Sequence, residues 1–400
     1  MSPELYLRSV NHSADAATEM RAIDVCQEGI DIMLPKMRHF IFMVRGLDPR
    51  GANILKQEML AVGGEAAISY NSICDISKPT DCLLSGTERQ FQIAQAKLKI
   101  QPFGLKDLAA QLKLALQNIC RQKSSSVGQL KFDRTLVMGI LNVTPDSFSG
   151  EGTMNSDEAV ERALQMEHDG ADIIDIGGES TRPGARTVTT EEELARVIPV
   201  IESLAGKLKI PMSIDTRNPD VAEKALEAGV GILNLVGGLR VPRMADIVAV
   251  TGKPVILMHM QGEPGNMQEN PAYSDVMDDI IAELRQQIVK ALEAGIKSEN
   301  IILDPGIGFG KTAEHNLEIL RRLGELRILG MPVLVGTSRK SFIGTVIGRQ
   351  VNSRLEGSLA SAVLASSVVA DIVRVHDVKE TAMAMKMTDT IIKKSTKTIK

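Results

Sequence analysis

The sequence predicts an α/β protein, a (β/α)8 barrel preceded by a small N-terminal α/β domain. Three observations carry that reading. From about residue 135 onward, a short apolar run, a loop and an amphipathic helix recur eight times. The apolar runs are rich in Val, Ile and Leu without strict alternation, as parallel strands covered on both faces should be. Ahead of them lies a polar stretch, Arg121 to Thr135 (RQKSSSVGQLKFDRT), which reads as a linker. A length of 400 residues suits a barrel of roughly 250 residues with one extra domain. The expected boundaries are 1–120 for the first domain, 121–134 for the linker and 135–400 for the barrel.

In the first domain, HFIFMV (39–44), AAISYN (66–71) and DCLLSGT (81–87) read as strands. LDPRGANILKQEMLAVGG, ERQFQIAQAKLK and LKDLAAQLKLALQNI carry helical spacing. The segment RGLDPRGAN (45–53) opens a helix after a strand with two Arg nearby. It is either an anion site at a helix N-terminus or simply a capped helix start. No chemistry is assigned to this domain. The four cysteines, Cys26, Cys74, Cys82 and Cys120, all precede the barrel and form no CxxC pair; buried reduced thiols are expected, with a structural zinc site as the alternative.

The eight predicted barrel strands are LVMGILNV (136–143), DIIDIGG (172–178), PMSIDT (211–216), GILNLVGG (231–238), PVILMHM (254–260), IILDPG (301–306), PVLVGT (332–337) and DIVRVH (371–376). Between them, segments such as SDEAVERALQMEHDGA and DDIIAELRQQIVKALEAG are amphipathic helices. Several end at Gly (Gly170, Gly206, Gly229, Gly295), which suits a left-handed C-cap. An open doubly wound sheet would show fewer strands and a Gly-rich dinucleotide turn after the first. Here the first strand runs into NVTPDS, so a closed TIM barrel is expected.

Composition narrows the function. Net charge is −4, there is no Trp, and aromatics make up 3%. Neither a basic nucleic-acid surface nor a base-stacking platform is indicated. No signal-like N-terminus or long apolar run is present, so a cytoplasmic protein without membrane contact is expected.

Active sites of such barrels lie at the C-terminal ends of the strands. Polar residues occur there on all eight: Asn142 and Asp146, Glu179 to Arg182, Asp215, Asn234, His259, Asp304, Ser338 to Lys340, and Arg374 with His376. A buried carboxylate without partners costs several kcal/mol, so such a ring requires a ligand, a metal or mutual pairing. Asp215, Asn234 and Asp304 offer acceptors for N–H and NH2 groups and a donor for ring nitrogens, the edge of a pterin or guanine-like ring. Lys340 and Arg374 bring positive charge from strands seven and eight, where barrels often hold phosphate. His376, Ser180 and Thr181 add donors for phosphate oxygens, and Asn142 is a neutral oxygen ligand suited to Mg2+ held mainly by phosphate and water.

Plainer roles stand beside these. Asp215 is also placed to cap the helix that DTRNPD begins, and Arg374 to pair with Asp377 at the rim. His259 on its apolar strand reads as a hydrogen-bonded core histidine, and Met258 and Met260 as packing or pocket wall. GIGFGKT (306–312) has three residues between its outer glycines where a P-loop needs four, and is not read as one.

Seven segments together resemble the dihydropteroate synthase family: GILNVTPDSFS (139–149), DIGGESTRPGA (175–185), SIDT (213–216), LMHMQGEPGNMQ (257–268), LDPGIGFGKTAEHN (303–316), GTSRKSFIG (336–344) and VRVHDV (373–378). They occur in the family's order, and the N-terminal third lies outside the usual core. The resemblance implies that p-aminobenzoate displaces pyrophosphate from 6-hydroxymethyl-7,8-dihydropterin pyrophosphate, giving 7,8-dihydropteroate. By position, Asp215, Asn234 and Asp304 would hold the pterin with Lys340 near its carbonyl, while Met258 and Phe309 form walls. Asn142, Arg374 and His376 would hold the pyrophosphate and its Mg2+. Thr181, Arg182, Pro183, Phe309 and Ser341 would frame p-aminobenzoate. Asp146 and Arg182 sit on two loops that order over the bound intermediates in the family, and with Lys340 they are the expected catalytic groups. A homodimer through the last helices is implied as well. One departure is visible: strand four reads Asn234-Leu235-Val236, where the family commonly has Asp after the Asn. The alternatives are a pterin-dependent methyltransferase serving a corrinoid protein, and a non-catalytic pterin-binding protein.

Overall fold

The computed structural model describes residues 4–8, 13–120, 126–144, 156–179, 188–263 and 265–392. They form two compact units, Met1–Arg121 and Gln122–Lys400.

The first unit runs α1 (Ser13–Ala22), α2 (Gln27–Met37), β1 (His39–Leu47), α3 (Pro49–Ala61), β2 (Glu65–Ile68), β3 (Thr80–Thr87), α4 (Glu88–Leu98) and α5 (Leu105–Cys120). Its antiparallel sheet has the order β1-β3-β2. The strand β3 alternates buried and less buried positions, as a sheet with one covered face requires. Leu55, Met59, Leu84, Phe91 and Leu98 fill the core beneath it. Neither α1 nor α2 is expected from the sequence pattern. The buried face of α1 is small (Ala16, Ala17, Met20), and α2 carries Pro35 within it. At RGLDPRGAN the capped-start reading is the one observed. Asp48 accepts from Arg50 N at 2.8 Å and also pairs with the Arg50 guanidinium, so a carboxylate already stands where an anion would sit. All four cysteines are free; Cys82 is buried, but Cys26 and Cys74 are exposed rather than buried as expected.

The second unit opens with a hairpin, β4 (Ser126–Val127) and β5 (Leu130–Lys131), inside the segment read as linker. The barrel follows as β6 (Leu136–Asn142), α6 (Ser156–His168), β7 (Ile173–Gly177), α7 (Thr190–Leu204), β8 (Met212–Thr216), α8 (Pro219–Glu227), β9 (Ile232–Leu235), α9 (Pro242–Thr251), β10 (Val255–Met258), α10 (Val276–Glu293), β11 (Ile301–Asp304), α11 (Ala313–Arg322), β12 (Leu334–Val335), α12 (Ser341–Ile347), α13 (Leu355–Val368), β13 (Ile372–Val375) and α14 (Val378–Ile392). Each observed strand falls within a predicted apolar run. Strand order is β11-β10-β9-β8-β7-β6-β13-β12, all parallel, and a bridge between Leu303 and Val333 closes the ring.

Strand parity divides each strand between two environments. Val137, Ile174, Ile214, Leu233, Leu235, Leu257, Leu303 and Val373 point outward into the large strand–helix core. Met138, Ile173, Ile232, Ile256, Ile302, Leu334 and Ile372 point inward, where Val127 and Leu130 of the hairpin join them as a floor. The hairpin is therefore part of the barrel's packing. Burying this apolar pair against the barrel interior is what fixes the segment in place.

The same parity answers the departure at residue 235. Leu235 is fully buried in the outward layer, in register with Thr216, whose hydroxyl donates to Glu193 Oε1 of α7 at 2.8 Å. A side chain at 235 thus faces the helices and not the barrel interior. Glu193 is 4% exposed, and burial pushes its carboxyl up to about 7.

Two stability predictions arise here. Leu130→Ala is expected to cost about 2–5 kcal/mol in urea denaturation of the barrel unit; a loss under about 1 kcal/mol would remove the hairpin from the core. For Glu193, the fold binds the proton more tightly than the unfolded chain does. The associated stability is complete below the unfolded pKa and is lost as pH rises through about 7. Glu193→Gln mimics the protonated acid, so it should stabilise the protein by about 3 kcal/mol at pH 8.5 and by almost nothing at pH 4.5. An equal effect at both pH values would contradict the burial argument.

Candidate active site

At the C-terminal ends of the strands, inward parity brings together Asn142, Asp175, Asp215, Asn234, Met258, Asp304 and Arg374. Register sets Asp215 beside Asn234 and Gly177, and Met258 beside Asp304. Arg374 ties the group together. Its Nε donates to Asp175 Oδ2 at 2.6 Å and its Nη2 to Asp215 Oδ2 at 2.5 Å. Asp175 is fully buried; it also accepts from Ser213 Oγ at 2.5 Å and from Asn234 Nδ2 at 3.1 Å. Asp175 therefore orients both Asn234 and Arg374. Sequence reasoning passed over it, although its place between inward-facing Ile173 and Gly177 marks it by parity.

Asp215 is left half-satisfied: its Oδ1 is buried and meets no donor among the described residues. A buried acceptor in that state is costly unless a ligand supplies an N–H. A Cβ built at Gly177 would lie 3.6 Å from Asn142 Oδ1 and 3.8 Å from Asp215 Oδ2, so both oxygens flank one spot at the mouth.

The charges in this pocket are unequal. Arg374 and Lys340 face Asp175, Asp215 and Asp304, and one guanidinium is shared by two carboxylates. Burial, only partly countered by Arg374, pushes Asp215 up to about 7, with Asp175 adding to the rise. Burial likewise raises Asp304, although Gly306 N donates to its Oδ1 at 2.7 Å. Burial opposes the charge of Arg374 too, but its two carboxylates more than offset this and hold it protonated. Lys340 is lowered by burial to about 8, despite the favourable charge of Asp304.

One wall is apolar: Val236, Met258, Met260 and Met267, with Phe309 packed against them. Lys340 Nζ donates to Ile307 O at 2.5 Å and lies 4.2 Å from the Phe309 ring centroid. The loop bearing Phe309 lies close because of its glycines. A Cβ at Gly306 would stand 1.8 Å from His259 O, and one at Gly310 2.3 Å from Gln261 O, and both residues have positive φ. Lys340 itself follows a turn in which Arg339 adopts φ 57° while its guanidinium grips Asp377 with two hydrogen bonds. Arg354 Nη1 donates to the Arg339 carbonyl at 3.0 Å.

The plainer roles resolve accordingly. Asp215 is not a helix cap, since Asn218 caps α8. Arg374 does not pair with Asp377, because parity turns it inward and Arg339 takes Asp377. His259 is a buried, hydrogen-bonded histidine as expected. His376 stays at the rim, with Nδ1 3.0 Å from Ser338 Oγ. Ser341 is exposed at the start of α12, next to Lys340. Asp146, Ser180, Thr181, Arg182 and Pro183 lie outside the described residues. Among the described residues no three His, Cys, Asp or Glu cluster as a metal site.

Residues 138–376 match the family described as pterin binding enzyme. The dihydropteroate synthase of Escherichia coli is 50% identical over 254 residues, which are 63% of this chain and 90% of that protein. A probable bifunctional folylpolyglutamate synthase/dihydropteroate synthase of Halobacterium salinarum is 41% identical over 94% of this chain, so the likeness reaches into the first unit; this chain spans 46% of that protein. The structure of the Xanthomonas albilineans dihydropteroate synthase in complex with 7,8-dihydropteroate superposes with a TM-score of 0.61 at 43% identity, covering 66% of this chain and 95% of the other. An inward ring of Asp215, Asn234, Asp304 and Arg374 beneath an apolar wall thus coincides with the matched region, and the chain belongs to the dihydropteroate synthase family of pterin-binding enzymes.

Proposed function

We infer that the chain condenses 6-hydroxymethyl-7,8-dihydropterin pyrophosphate with p-aminobenzoate, forming 7,8-dihydropteroate and pyrophosphate. The observation that carries this reading is Asp215 Oδ1, unpartnered among the described residues and set beside Asn234 and Asp304 on one inward rim. A pterin presents an exocyclic NH2 and ring N–H groups that carboxylates accept, and a carbonyl that Lys340 can reach as a donor. Met258 and Phe309 cover the flat faces of the ring.

The pyrophosphate belongs at the mouth, with Asn142, Arg374 and His376. Arg374 is already anchored to two carboxylates, which fixes its position while leaving guanidinium N–H groups for phosphate oxygens. The donor set fits Mg2+: Asn142 offers one neutral oxygen, and an ion bound mainly by phosphate and water needs no all-protein cage. When bound, Mg2+ neutralises charge on the leaving pyrophosphate.

The chemistry then asks little of a base. The C–O bond to pyrophosphate breaks and its electron pair leaves with the phosphate; the methylene carbon's positive charge spreads into the electron-rich dihydropterin. The neutral arylamine nitrogen forms the new C–N bond and afterwards loses a proton. Arg374 and His376 stabilise the departing charge, and the apolar wall keeps water from the carbon. Thr181, Arg182, Pro183, Phe309 and Ser341 frame the arylamine, with Asp146 and Arg182 on the covering loops, by resemblance. Leu235 lends no support to a decayed site, because it faces the helices.

A homodimer is part of the proposal: α14 exposes Met383, Met387 and Ile391 at four-residue spacing, and α13 adds Leu364. No helix among the described residues is long and apolar enough to cross a membrane, and a cytoplasmic location is proposed.

Asp304→Asn is expected to weaken 6-hydroxymethylpterin binding at least tenfold by calorimetry, and unchanged affinity would sink the assignment. Asn142→Ala should raise the Mg2+ concentration for half-maximal turnover severalfold, whereas superimposable Mg2+ titrations would deny it that role. Sedimentation should give twice the 43.3 kDa chain mass, falling to one chain in Met387→Glu; a monomeric wild type would remove the dimer.

A further inference from the structure

Behind the apolar wall lies a group that the chemistry above leaves unused. Lys311 is 3% exposed and, among the described residues, has no carboxylate as a hydrogen-bond partner. Its Nζ instead lies 2.9 Å from His259 Nδ1 and donates to the carbonyl of Phe309 at 2.9 Å. On the other side of the imidazole, His259 Nε2 is 3.2 Å from Glu283 Oε2 of α10. A carboxylate only accepts, so Nε2 must carry the proton, and Nδ1 is then free to accept from the Lys311 ammonium. The hydrogen bonds thus run in one direction, from Lys311 through a neutral His259 to Glu283. Burial and the nearby Lys311 charge agree with that tautomer, holding the His259 pKa down to about 2. Glu283 is held in turn: Gln287 Nε2 donates to its Oε1 at 3.3 Å, and Arg240 Nη2 lies 3.6 Å from the same oxygen.

Burying an ammonium is expensive, and burial lowers the Lys311 pKa to about 7; the nearby Asp304 charge and the acceptors at His259 and Phe309 offset part of that cost. Simple packing of the loop does not require the charge, since Gly306 and Gly310 already let it approach β10. What the ammonium adds is a fixed hold on the backbone of Phe309, the residue whose ring meets Lys340 at 4.2 Å. We propose that Lys311, His259 and Glu283 form a buried brace that positions Phe309 against Lys340 and so sets how tightly the site grips its ring substrate. They are positioning residues: the hydrogen bonds and ion pairs given above run among the three, to the Phe309 carbonyl, and to Gln287 and Arg240, not to Asp215 or Asn234. The consequence for substrate rests on the pterin reading above, while the brace itself does not.

The test therefore has two arms, run on the full chain. In the first, the protein is labelled with 4-fluorophenylalanine, and the resonance of residue 309, one of eight phenylalanines, is assigned by its disappearance in Phe309→Leu. Lys311→Met keeps the stem and removes the donors; it should shift or broaden that resonance, and Glu283→Gln should do the same more weakly. The second variant touches only the far end of the brace and guards against a misfolded Lys311→Met. In the second arm, Lys311→Met should raise KM for the dihydropterin pyrophosphate about tenfold with kcat within about threefold, and should add nothing further in a Phe309→Leu background. An unmoved 309 resonance in both variants overturns the brace whatever the substrate. A moved resonance with unchanged KM, or full additivity with Phe309→Leu, overturns its influence on the site. A moved resonance in a protein that forms no dihydropteroate leaves the brace standing and removes the proposed reaction instead.

Discussion

The arrangement depends on one buried cation. Three carboxylates at the inner rim of a barrel would repel one another and resist burial, each at a cost of several kcal/mol. Arg374 makes the set tolerable by lying between Asp175 and Asp215, with a hydrogen bond to each. Asp175 spends its remaining capacity on Ser213 and Asn234, so it is complete in the structure as it stands. Asp215 is not complete, and that difference separates a scaffold carboxylate from one that awaits a ligand. The same guanidinium that stabilises the carboxylate rim also faces the mouth, where an anionic leaving group would sit.

The second constraint is close approach. The loop after β11 lies against the loop after β10 only because Gly306 and Gly310 have no side chains to collide with His259 and Gln261. That contact carries Phe309 onto the methionine-lined wall and leaves the Ile307 carbonyl within reach of Lys340. The motif that resembles a phosphate loop in composition is thus built for contact between backbones, and its lysine is buried behind the wall rather than offered to a phosphate.

Much of this was legible in the sequence. Eight apolar runs named the eight strands, because strands covered on both faces need continuous apolar character, and the polar interruptions at their ends marked the rim. Asp215, Asn234, Asp304 and Arg374 emerged on that basis alone. Asp175 did not, since it sits inside an apolar run and only the inward parity of Ile173 and Gly177 distinguishes it from Ile174 and Ile176. The hairpin at 126–131 was hidden by its polar neighbours; two apolar residues, Val127 and Leu130, carry all of its packing. Leu235 looked like a lost active-site carboxylate until register placed it among the helices. The Arg339–Asp377 pair was equally invisible, because it rests on a left-handed turn that no spacing rule predicts for arginine.

The most direct measurement is pyrophosphate release from 6-hydroxymethyl-7,8-dihydropterin pyrophosphate, with and without p-aminobenzoate, in Mg2+ and in EDTA. The account expects release that requires both Mg2+ and p-aminobenzoate, with 7,8-dihydropteroate formed in equal amount. Tight pterin binding without pyrophosphate release under any of these conditions would contradict it, and methyltetrahydrofolate would then be the ligand to test.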